Sequence, residues 1–232
     1  MKVCIYTAIF GNYDRLQHQA EQSIDCDFIC FTDSLLLRRD AKWKYFLQKN
    51  AKWDIRVTQP RFFHPRLSAK WFKMMPHREL QRYDYTIWID GSFRITSSLF
   101  AQTFMDAIAD NVMGVFWHPE RNCIYEEAEY CVSNGVKKYH GLPLIEQVNS
   151  YRTQGYPEKS GLYSCGLIVR KGGSKECLEF DEEWLSEILE WTYQDQLSFP
   201  FLAWKRKLSF KIFGGDIRNH PMFCLHSHLS EE

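Results

Sequence analysis

The chain has 232 residues, which is enough for one large α/β domain or two small ones, and we expect a single domain with a sizeable core. Lysine plus arginine and aspartate plus glutamate number 29 each, so bulk charge points neither to nucleic acid nor to a membrane surface as a partner. Aromatic residues make up 16% of the chain, a surplus that fills cores and can also line sites where rings stack on sugars or bases.

The chain begins directly with a strand-like segment, and no apolar run approaches the ~18 residues that a membrane span needs. We therefore expect a cytoplasmic protein without a transmembrane segment, which could still work at the inner face of the membrane if its substrate is lipid-linked. The eight cysteines form no C-x-x-C pair, so we expect reduced, buried thiols rather than a zinc site.

The first part of the chain predicts three strands, over residues 3–9, 27–32 and 53–57, with a short excursion at residues 43–47. Ligands of open α/β sheets bind beyond the carboxyl ends of the strands, so the Gly-Asn turn after the first strand is a candidate ligand loop. Asp33 follows the second strand and could accept hydrogen bonds from a ribose or a base, or could cap the next turn.

A helix is predicted from about Ser68 to about Arg82. Arg66, Lys70 and Lys73 recur at three- and four-residue spacing at its start and therefore share one face. Such a face suits a phosphate-bearing ligand, because arginine and lysine donate complementary hydrogen bonds to phosphate. The same pattern is also typical of an ordinary solvated helix face.

Residues 83–95 predict a central strand that is apolar on both faces and carries one carboxylate, Asp90, followed by Gly91. An ionised carboxylate at that position is costly unless it meets a cation or hydrogen-bond donors. The glycine lets a ligand or a backbone segment approach closely. We therefore place a polar, metal-dependent site at Asp90, with a simple Asp-Gly turn as the alternative.

The remainder of the chain alternates further helices and strands. Helices are predicted over residues 100–111, 124–138, 143–154 and 174–188, and strands over 112–117, 161–170 and 208–213. His118, Arg121 and Glu127 lie near a strand end, where they could orient or deprotonate an acceptor. Glu127 could instead stabilise the helix, because a carboxylate in the first turns interacts favourably with the positive end of the helix dipole.

Asp195 and Gln196 open another helix, either as caps or as side chains that project into a cleft. In the tail, His226 and His228 are two residues apart, so both imidazoles face the same way if the segment is extended. A metal site there would need a carboxylate from elsewhere, for which Asp90 is the candidate. Histidine-bearing tails are also often only solvated.

Six sequence blocks, taken in order, are distinctive: residues 6–14 (YTAIFGNYD), 30–33 (CFTD), 66–70 (RLSAK), 85–91 (YTIWIDG), 118–128 (HPERNCIYEEA) and 193–199 (YQDQLSF). Together they resemble the glycosyltransferase-like domain family of bacteria and plants that was long catalogued as a domain of unknown function. The resemblance covers about residues 3–202. It implies an α/β, GT-A-like fold, in which helices flank a central, mixed but mostly parallel sheet, as one domain over residues 1–232 whose tail, 203–232, closes over the site.

The resemblance also implies an activity. The protein would move a sugar from a nucleotide-diphosphate sugar to a hydroxyl of a glycan or lipid-linked acceptor, with bacterial surface polysaccharide synthesis as the expected setting. No nucleic-acid partner is expected, and peripheral association with a membrane is compatible with such an acceptor.

The resemblance assigns roles to individual residues. The nucleotide-sugar site would comprise Thr7, Ala8, Gly11, Tyr13, Asp33, Arg66, Lys70 and Gln196. Mn²⁺ or Mg²⁺ would be bound by Asp90, His226 and His228. The acceptor side would hold Asp195, Glu127 and His118, and the segment around Asp195 is similar to the Asp-Gln-Asp block of glycogenin-like retaining transferases.

Two features leave alternatives open. GT-A transferases usually bind their metal with an Asp-x-Asp motif, whereas Asp90 stands alone in this sequence. A plant member of the family is described as a ceramidase, so a hydrolase that activates water at Asp90 is one alternative. A non-catalytic sugar- or nucleotide-binding module is another, and the sequence does not decide between inversion and retention.

Overall fold

The structure is a computed structural model that describes residues 1–37 and 51–227. The strands are β1 (Val3–Ile9), β2 (Cys26–Thr32), β3 (Trp53–Val57), β4 (Tyr85–Ile89), β5 (Phe93–Ile95), β6 (Met113–Trp117), β7 (Tyr163–Lys171), β8 (Lys211–Phe213) and β9 (Phe223–Leu225). The helices are α1 (Pro65–Met74), α2 (Pro76–Glu79), α3 (Phe100–Ile108), α4 (Ile124–Ser133), α5 (Leu144–Thr153), α6 (Lys175–Glu190) and α7 (Asp195–Arg206), and a 3₁₀ turn spans Lys137–Tyr139.

Within these residues, seven strands form a mixed sheet in the order β3-β2-β1-β4-β7-β6-β8. β1 pairs in parallel with β2 and β4, β2 with β3, and β6 with β8, whereas β7 runs antiparallel between β4 and β6. The carboxyl ends of β1, β2, β4 and β6 therefore lie at one edge of the sheet, beside the amino end of β7. The predicted α/β, mostly parallel architecture is confirmed.

Apolar side chains cover both faces of the sheet. Along β1, Cys4 and Tyr6 pack into one buried cluster, and Val3 and Ile5 pack into the other, as the two-residue period of a strand requires. The first cluster includes residues of α1, α6 and α7, and the second includes residues of α3 and of a small sheet in which β5 pairs with β9. This double cover explains why β4 is apolar on both faces.

The cationic helix differs from its prediction at both ends. It begins at Pro65 rather than near Ser68, because proline suits a first helical position and the His64 Nδ1 atom accepts the Arg66 N–H at 3.3 Å. It ends at Met74, since Pro76 has no N–H to continue the helix and instead starts the short α2.

Two further boundaries were wrong, each because of a turn. The strand predicted over residues 83–95 is two strands, because the chain turns at Asp90 and Phe93 N–H donates to the Asp90 carbonyl at 3.0 Å. The helix predicted over residues 124–138 ends at Ser133, ahead of Gly135, which adopts a left-handed φ of 58°. The excursion predicted at residues 43–47 lies outside the described residues.

The tail contributes to both sheets. β8 extends the main sheet beside β6, and His226 N–H donates to the Ser92 carbonyl at 2.9 Å, just beyond the turn at Asp90. Closure of residues 203–232 over the site stays a prediction. In the part of the chain that the structure describes, no helix is long and apolar enough to cross a bilayer.

A buried ion pair ties α6 to the sheet. Arg170 on β7 and Asp181 on α6 are 2% and 1% exposed, and the Arg170 guanidinium donates to both carboxylate oxygens at 2.9 to 3.1 Å. The same guanidinium contacts the Tyr6 hydroxyl at 3.4 Å. Removal of one member of this pair would therefore leave a buried charge without its partner.

We expect Asp181→Ala to lower the free energy of unfolding by about 3 to 5 kcal/mol, because the Arg170 guanidinium stays buried and unpaired. Urea denaturation measures this loss. Glu179→Ala is the matched control, since that exposed carboxylate on the same helix should matter by less than about 0.5 kcal/mol. Equal stability of the two variants would contradict the assignment.

Candidate active site

A cleft opens at the carboxyl ends of β1 and β4. Its walls are the loop after β1, the cationic face of α1, the amino-terminal half of β7 and the start of α7. These segments are far apart in sequence and meet because ligand sites of open α/β sheets lie at this edge. Seven of the predicted site residues line the cleft: Ala8, Tyr13, Arg66, Lys70, Asp90, Asp195 and Gln196.

The floor of the cleft is a buried cluster of charges. The Asp195 Oδ2 atom accepts from the Nζ atoms of both Lys70 and Lys73, the latter at 2.6 Å. Lys73 Nζ also lies 3.4 Å from Asp90 Oδ1. The side chains of Lys73 and Asp195 are 2% and 7% exposed, whereas that of Asp90 is 39% exposed. Asp90 is thus the member of the cluster that faces solvent most.

The charges of the cluster shift one another's pKa values. Burial alone would raise the pKa of Asp195, but the ammonium groups of Lys70 and Lys73 hold this pKa well below its usual range. Burial alone would lower the pKa of Lys73, but the carboxylates of Asp195 and Asp90 outweigh it and raise the pKa. Burial lowers the pKa of Lys70, although Asp195 opposes the shift.

Asp90 is positioned by two donors on one oxygen. The Trp88 indole N–H donates to Asp90 Oδ1 at 2.7 Å, in addition to Lys73. No described residue donates to Oδ2, which would lie 3.3 Å from a Cβ atom placed on Gly166. The side chain is therefore held in one orientation with its second oxygen available to a ligand.

A second carboxylate of the cleft, Asp14, packs against Gly91. A Cβ atom placed on Gly91 would come within 2.7 Å of Asp14 Oδ2, and both Asp14 and Gly91 line the cleft. A side chain at position 91 would therefore displace the loop after β1.

The rim of the cleft is aromatic. The Arg66 guanidinium lies 3.9 Å from the centre of the Tyr13 ring and 5.8 Å from that of Tyr193. His64 stacks on Tyr193 with ring centroids 5.0 Å apart. A flat cation among rings is suited to contact both phosphate and a planar base.

A row of hydrogen-bonded side chains, Tyr139, Gln194, Glu127 and Arg121, reaches the cleft lining at Tyr139 and Gln194. The Tyr139 hydroxyl donates to Gln194 Oε1 at 2.6 Å, and Gln194 Nε2 donates to Glu127 Oε1 at 3.2 Å. Glu127 in turn accepts from Arg121 Nε at 2.6 Å. Burial raises the pKa of Tyr139, so its hydroxyl stays protonated as a donor. These two hydrogen bonds fix the orientation of the Gln194 amide.

Three residues expected to bind the nucleoside do not line the cleft. Thr7 is 1% exposed, and among the described residues its hydroxyl has no hydrogen-bond partner. Asp33 accepts the Gly11 N–H at 3.1 Å, which is the capping alternative, and Gly11 itself packs against Pro65. These residues support the loop after β1, and their contact with a nucleoside stays a prediction.

The remaining predicted residues are also outside the cleft lining. The Nδ1 atom of His118 accepts the backbone N–H of Arg121 at 3.1 Å, and burial lowers the pKa of His118. Glu127 is buried and reaches the cleft only through Gln194. His226 is exposed, with its ring near Cys224, and His228 lies outside the described residues.

Several polar residues that line the cleft were not among the predicted site residues, and they include Asp14, Lys73, Tyr139 and Gln194. The spacing of Lys73 from Lys70 was a usable signal, because residues three apart share a helix face. Asp14 and Gln194 occur within two of the distinctive sequence blocks. Nothing in the sequence pointed to Tyr139 as a site residue, because the helix before it was predicted to continue to residue 138 and ends at Ser133.

Two solved structures with a similar fold are glycosyltransferases by name. The apo structure of the WbbM bifunctional glycosyltransferase matches with a TM-score of 0.56 and 14% identity, over 92% of this chain and 38% of that one. Apo mouse xyloside xylosyltransferase 1 matches with a TM-score of 0.54 and 11% identity, over 93% of this chain and 86% of that one. The chain thus spans well under half of WbbM, and identities this low establish the fold alone, which is GT-A-like.

The chain therefore has a GT-A-like fold with a polar cleft at the strand ends. Residues 1–228 match the model of the TOD1/MUCI70 glycosyltransferase-like domain family, and the chain belongs to that family. The resemblance found in the sequence is thereby confirmed. No curated protein matches the chain.

The cleft fits a divalent ion only in part. Residues 1–37 and 51–227 contain no group of three or more His, Cys, Asp or Glu side chains that could enclose a metal. Mg²⁺, however, is usually bound by one or two carboxylates together with substrate phosphates. Asp90, with Oδ2 available, matches one carboxylate of that donor set, so the fit depends on a phosphate-bearing ligand.

We expect Asp195→Asn to destabilise the protein at neutral pH, because two buried ammonium groups lose their counter-charge. The folded-state pKa of Asp195 is held low, so the stability it contributes is complete above its unfolded-state pKa of about 4 and falls as the pH drops further. The difference between wild type and variant in urea midpoint should therefore shrink between pH 4 and pH 2. A difference that stays constant down to pH 2 would contradict this assignment.

Proposed function

We propose that this chain transfers a sugar from a nucleoside-diphosphate sugar to a hydroxyl of a glycan or lipid-linked acceptor, in the synthesis of a bacterial surface polysaccharide in the cytoplasm or at the inner face of the membrane. One observation carries the proposal. A GT-A-like sheet edge holds a half-exposed carboxylate, Asp90, in the same cleft as the cationic side chains of Lys70 and Arg66. The family and the fold support a glycosyltransferase, and the acceptor and setting rest on the resemblance to bacterial members.

The donor diphosphate would lie against Arg66 and Lys70, the cations of α1 that line the cleft. Lys73 is too deeply buried for direct contact and would act by holding Asp90 and Asp195 in place. Ala8 and Tyr13 would contact the nucleoside, since they belong to the loop after β1 and face the cleft. Gln196 would lie beside the transferred sugar.

Negative charge develops on the diphosphate as the glycosidic bond breaks. The ammonium group of Lys70 is fixed by Asp195 before the donor arrives, and charges oriented in advance stabilise a transition state without the cost of reorganisation. Mn²⁺ or Mg²⁺, when bound near Asp90, would supply further stabilisation of that leaving group. His226 and His228 remain proposed ligands on the tail.

Asp195 has the environment of a positioning residue more than that of a base. Its pKa is held well below its usual range, and a general base works best with a pKa near the operating pH. Glu127 and His118 stay candidates for the acceptor side. Glu127 would act through Gln194, whose amide it orients toward the cleft.

A thermal-shift screen tests the function directly. UDP, GDP, ADP, CDP and dTDP are each added with Mn²⁺ and, separately, with EDTA. At least one should raise the unfolding midpoint, since a ligand that binds only the native state stabilises it by mass action. No shift with any nucleotide, together with a shift by a lipid or a free sugar, would favour a hydrolase and overturn the proposal.

Single substitutions locate the diphosphate. Arg66→Ala and Lys70→Ala should each weaken binding of the shifting nucleotide by at least about tenfold, which corresponds to about 1.4 kcal/mol for one lost charge-assisted contact. Isothermal titration calorimetry measures the change. Lys175→Ala is the matched control, because that side chain is 89% exposed on α6 and should leave the affinity unchanged. Equal affinities in all three variants would place the phosphates elsewhere.

A further inference from the structure

We propose that the exposed indole ring of Trp117 binds a sugar ring of the acceptor, a few sugar units away from the hydroxyl that receives the transferred sugar. The ligand of this subsite is an uncharged saccharide chain. The inference rests on the proposed function, because it names where and how the acceptor of that transfer is held.

Trp117 presents a large ring to solvent at the end of a buried strand. It is the last residue of β6 and is 44% exposed, whereas the four residues before it are buried. The indole stacks on the Tyr163 ring, with centroids 5.0 Å apart and planes 26° apart. Tyr163 is 7% exposed and packs edge-to-face on Phe199 and Phe210. The indole is therefore supported by the core, and its exposed part is available to a ligand.

The backbone around Trp117 is fixed before any ligand arrives. His118 N–H donates to the Leu162 carbonyl at 2.9 Å, and Gly161 N–H donates to the Asn122 carbonyl at 3.0 Å. These hydrogen bonds join the segment after β6 to the segment before β7. A surface that is already ordered loses less conformational freedom when it binds a ligand.

Strand β7 connects this ring to the cleft. Tyr163 pairs with Trp117 in the sheet, and Cys165 of the same strand lines the cleft. Tyr163 and Cys165 are two residues apart, so their side chains lie on the same face of the sheet. Asp90 N–H bonds the carbonyl of Gly166, three residues after Tyr163. The spacing and rise of strands therefore place the Trp117 backbone roughly 10 Å across the sheet and roughly 10 Å along it from Asp90, within reach of a short oligosaccharide.

Polar groups near the ring suit sugar hydroxyls. A pyranose has an apolar face of C–H groups that packs on an aromatic ring, and hydroxyls around its rim that need hydrogen-bond partners. The Tyr163 hydroxyl has no partner among the described residues, and burial raises its pKa, so it stays a donor. His118 directly follows Trp117, and its Nδ1 atom accepts the Arg121 N–H at 3.1 Å. The neutral imidazole therefore carries its proton on Nε2, where it can donate to a hydroxyl.

The charges of the loop after Trp117 argue against other classes of partner. Glu120 pairs with Arg218 at 2.6 Å, and Arg121 pairs with Glu127 at 2.6 Å. Since the charges at residues 118–122 are paired, this loop does not attract an anionic polymer or a membrane surface. The same loop is polar, so the indole does not extend into a broad apolar patch of the kind that protein partners bury. An uncharged saccharide fits this combination of an apolar ring and neutral donors.

Saturation-transfer difference NMR tests the subsite with four uncharged tetrasaccharides: cellotetraose, maltotetraose, xylotetraose and mannotetraose. The proteins are wild type, Trp117→Ala, Trp117→Leu, Trp117→Phe and the control Trp204→Ala. Trp204 is a matched control, because it is 42% exposed and also packs against another ring, that of Tyr156, near the end of α7. At least one tetrasaccharide should bind wild type, and its Kd should rise at least about fivefold in the alanine and leucine variants, which lack the ring.

The other variants separate stacking from stability. Trp117→Leu keeps apolar bulk on Tyr163, so it tests the ring even if Trp117→Ala folds poorly. Trp117→Phe keeps a ring and should bind within about threefold of wild type, and Trp204→Ala should bind as wild type does. Unchanged binding by Trp117→Leu, or an equal loss in Trp204→Ala, would overturn the proposal. Failure of wild type to bind any of the four tetrasaccharides would also overturn it.

Nucleotide binding distinguishes this inference from the proposed function. Trp117 is not among the described residues that line the cleft, so the thermal shifts with UDP, GDP, ADP, CDP and dTDP should be the same in wild type and in the Trp117 variants. Loss of these shifts in Trp117→Leu would overturn the inference and assign Trp117 to the donor site.

The remaining outcomes are equally distinct. Wild type that binds a nucleotide but no tetrasaccharide would overturn the inference and leave the function standing. Tetrasaccharide binding that depends on Trp117, without a shift by any nucleotide, would support the subsite and count against a transferase. Binding of neither kind of ligand would overturn both.

Discussion

The cleft depends on one carboxylate that is buried under two ammonium groups. Asp195 begins α7, and Lys70 and Lys73 belong to α1, so their contacts lock the two helices together across the sheet edge. Burying a lone charge costs several kcal/mol, so each of the three requires the others. This mutual requirement fixes the floor of the cleft, and it also holds the Lys70 ammonium group in one place there.

The topology of the sheet explains why distant residues meet there. β1 and β4 are parallel neighbours, so Asp14 and Asp90 follow strands that end at the same edge. β7 runs the other way beside β4, which brings Cys165 and Gly166 from near its amino end to the same place. Residues that are far apart in the sequence can therefore line one cleft.

The sequence predicted elements better than side-chain partners. Strand β4 and its terminal Asp90 were predictable, because a doubly apolar strand followed by Asp-Gly stands out against its surroundings. The ion cluster was not, since nothing local shows that Asp195 will meet Lys73 more than 120 positions away. Asp33 is a second side chain whose partner the sequence did not predict. Its position after β2 fitted a ligand contact and a cap equally well, and in the structure it accepts a hydrogen bond from the Gly11 N–H.

The distribution of charge in the cleft indicates where a metal ion would act if one is bound. Four cationic side chains (Arg66, Lys70, Lys73 and Lys138) and three carboxylates (Asp14, Asp90 and Asp195) are found among its described lining residues. A diphosphate is therefore attracted even without metal, mainly to the α1 side. The Asp90 carboxylate lies 3.4 Å from Lys73 Nζ of α1, and its second oxygen would repel a phosphate bound to the α1 cations. A divalent ion bound by Asp90 would offset that repulsion and give the leaving group a second contact.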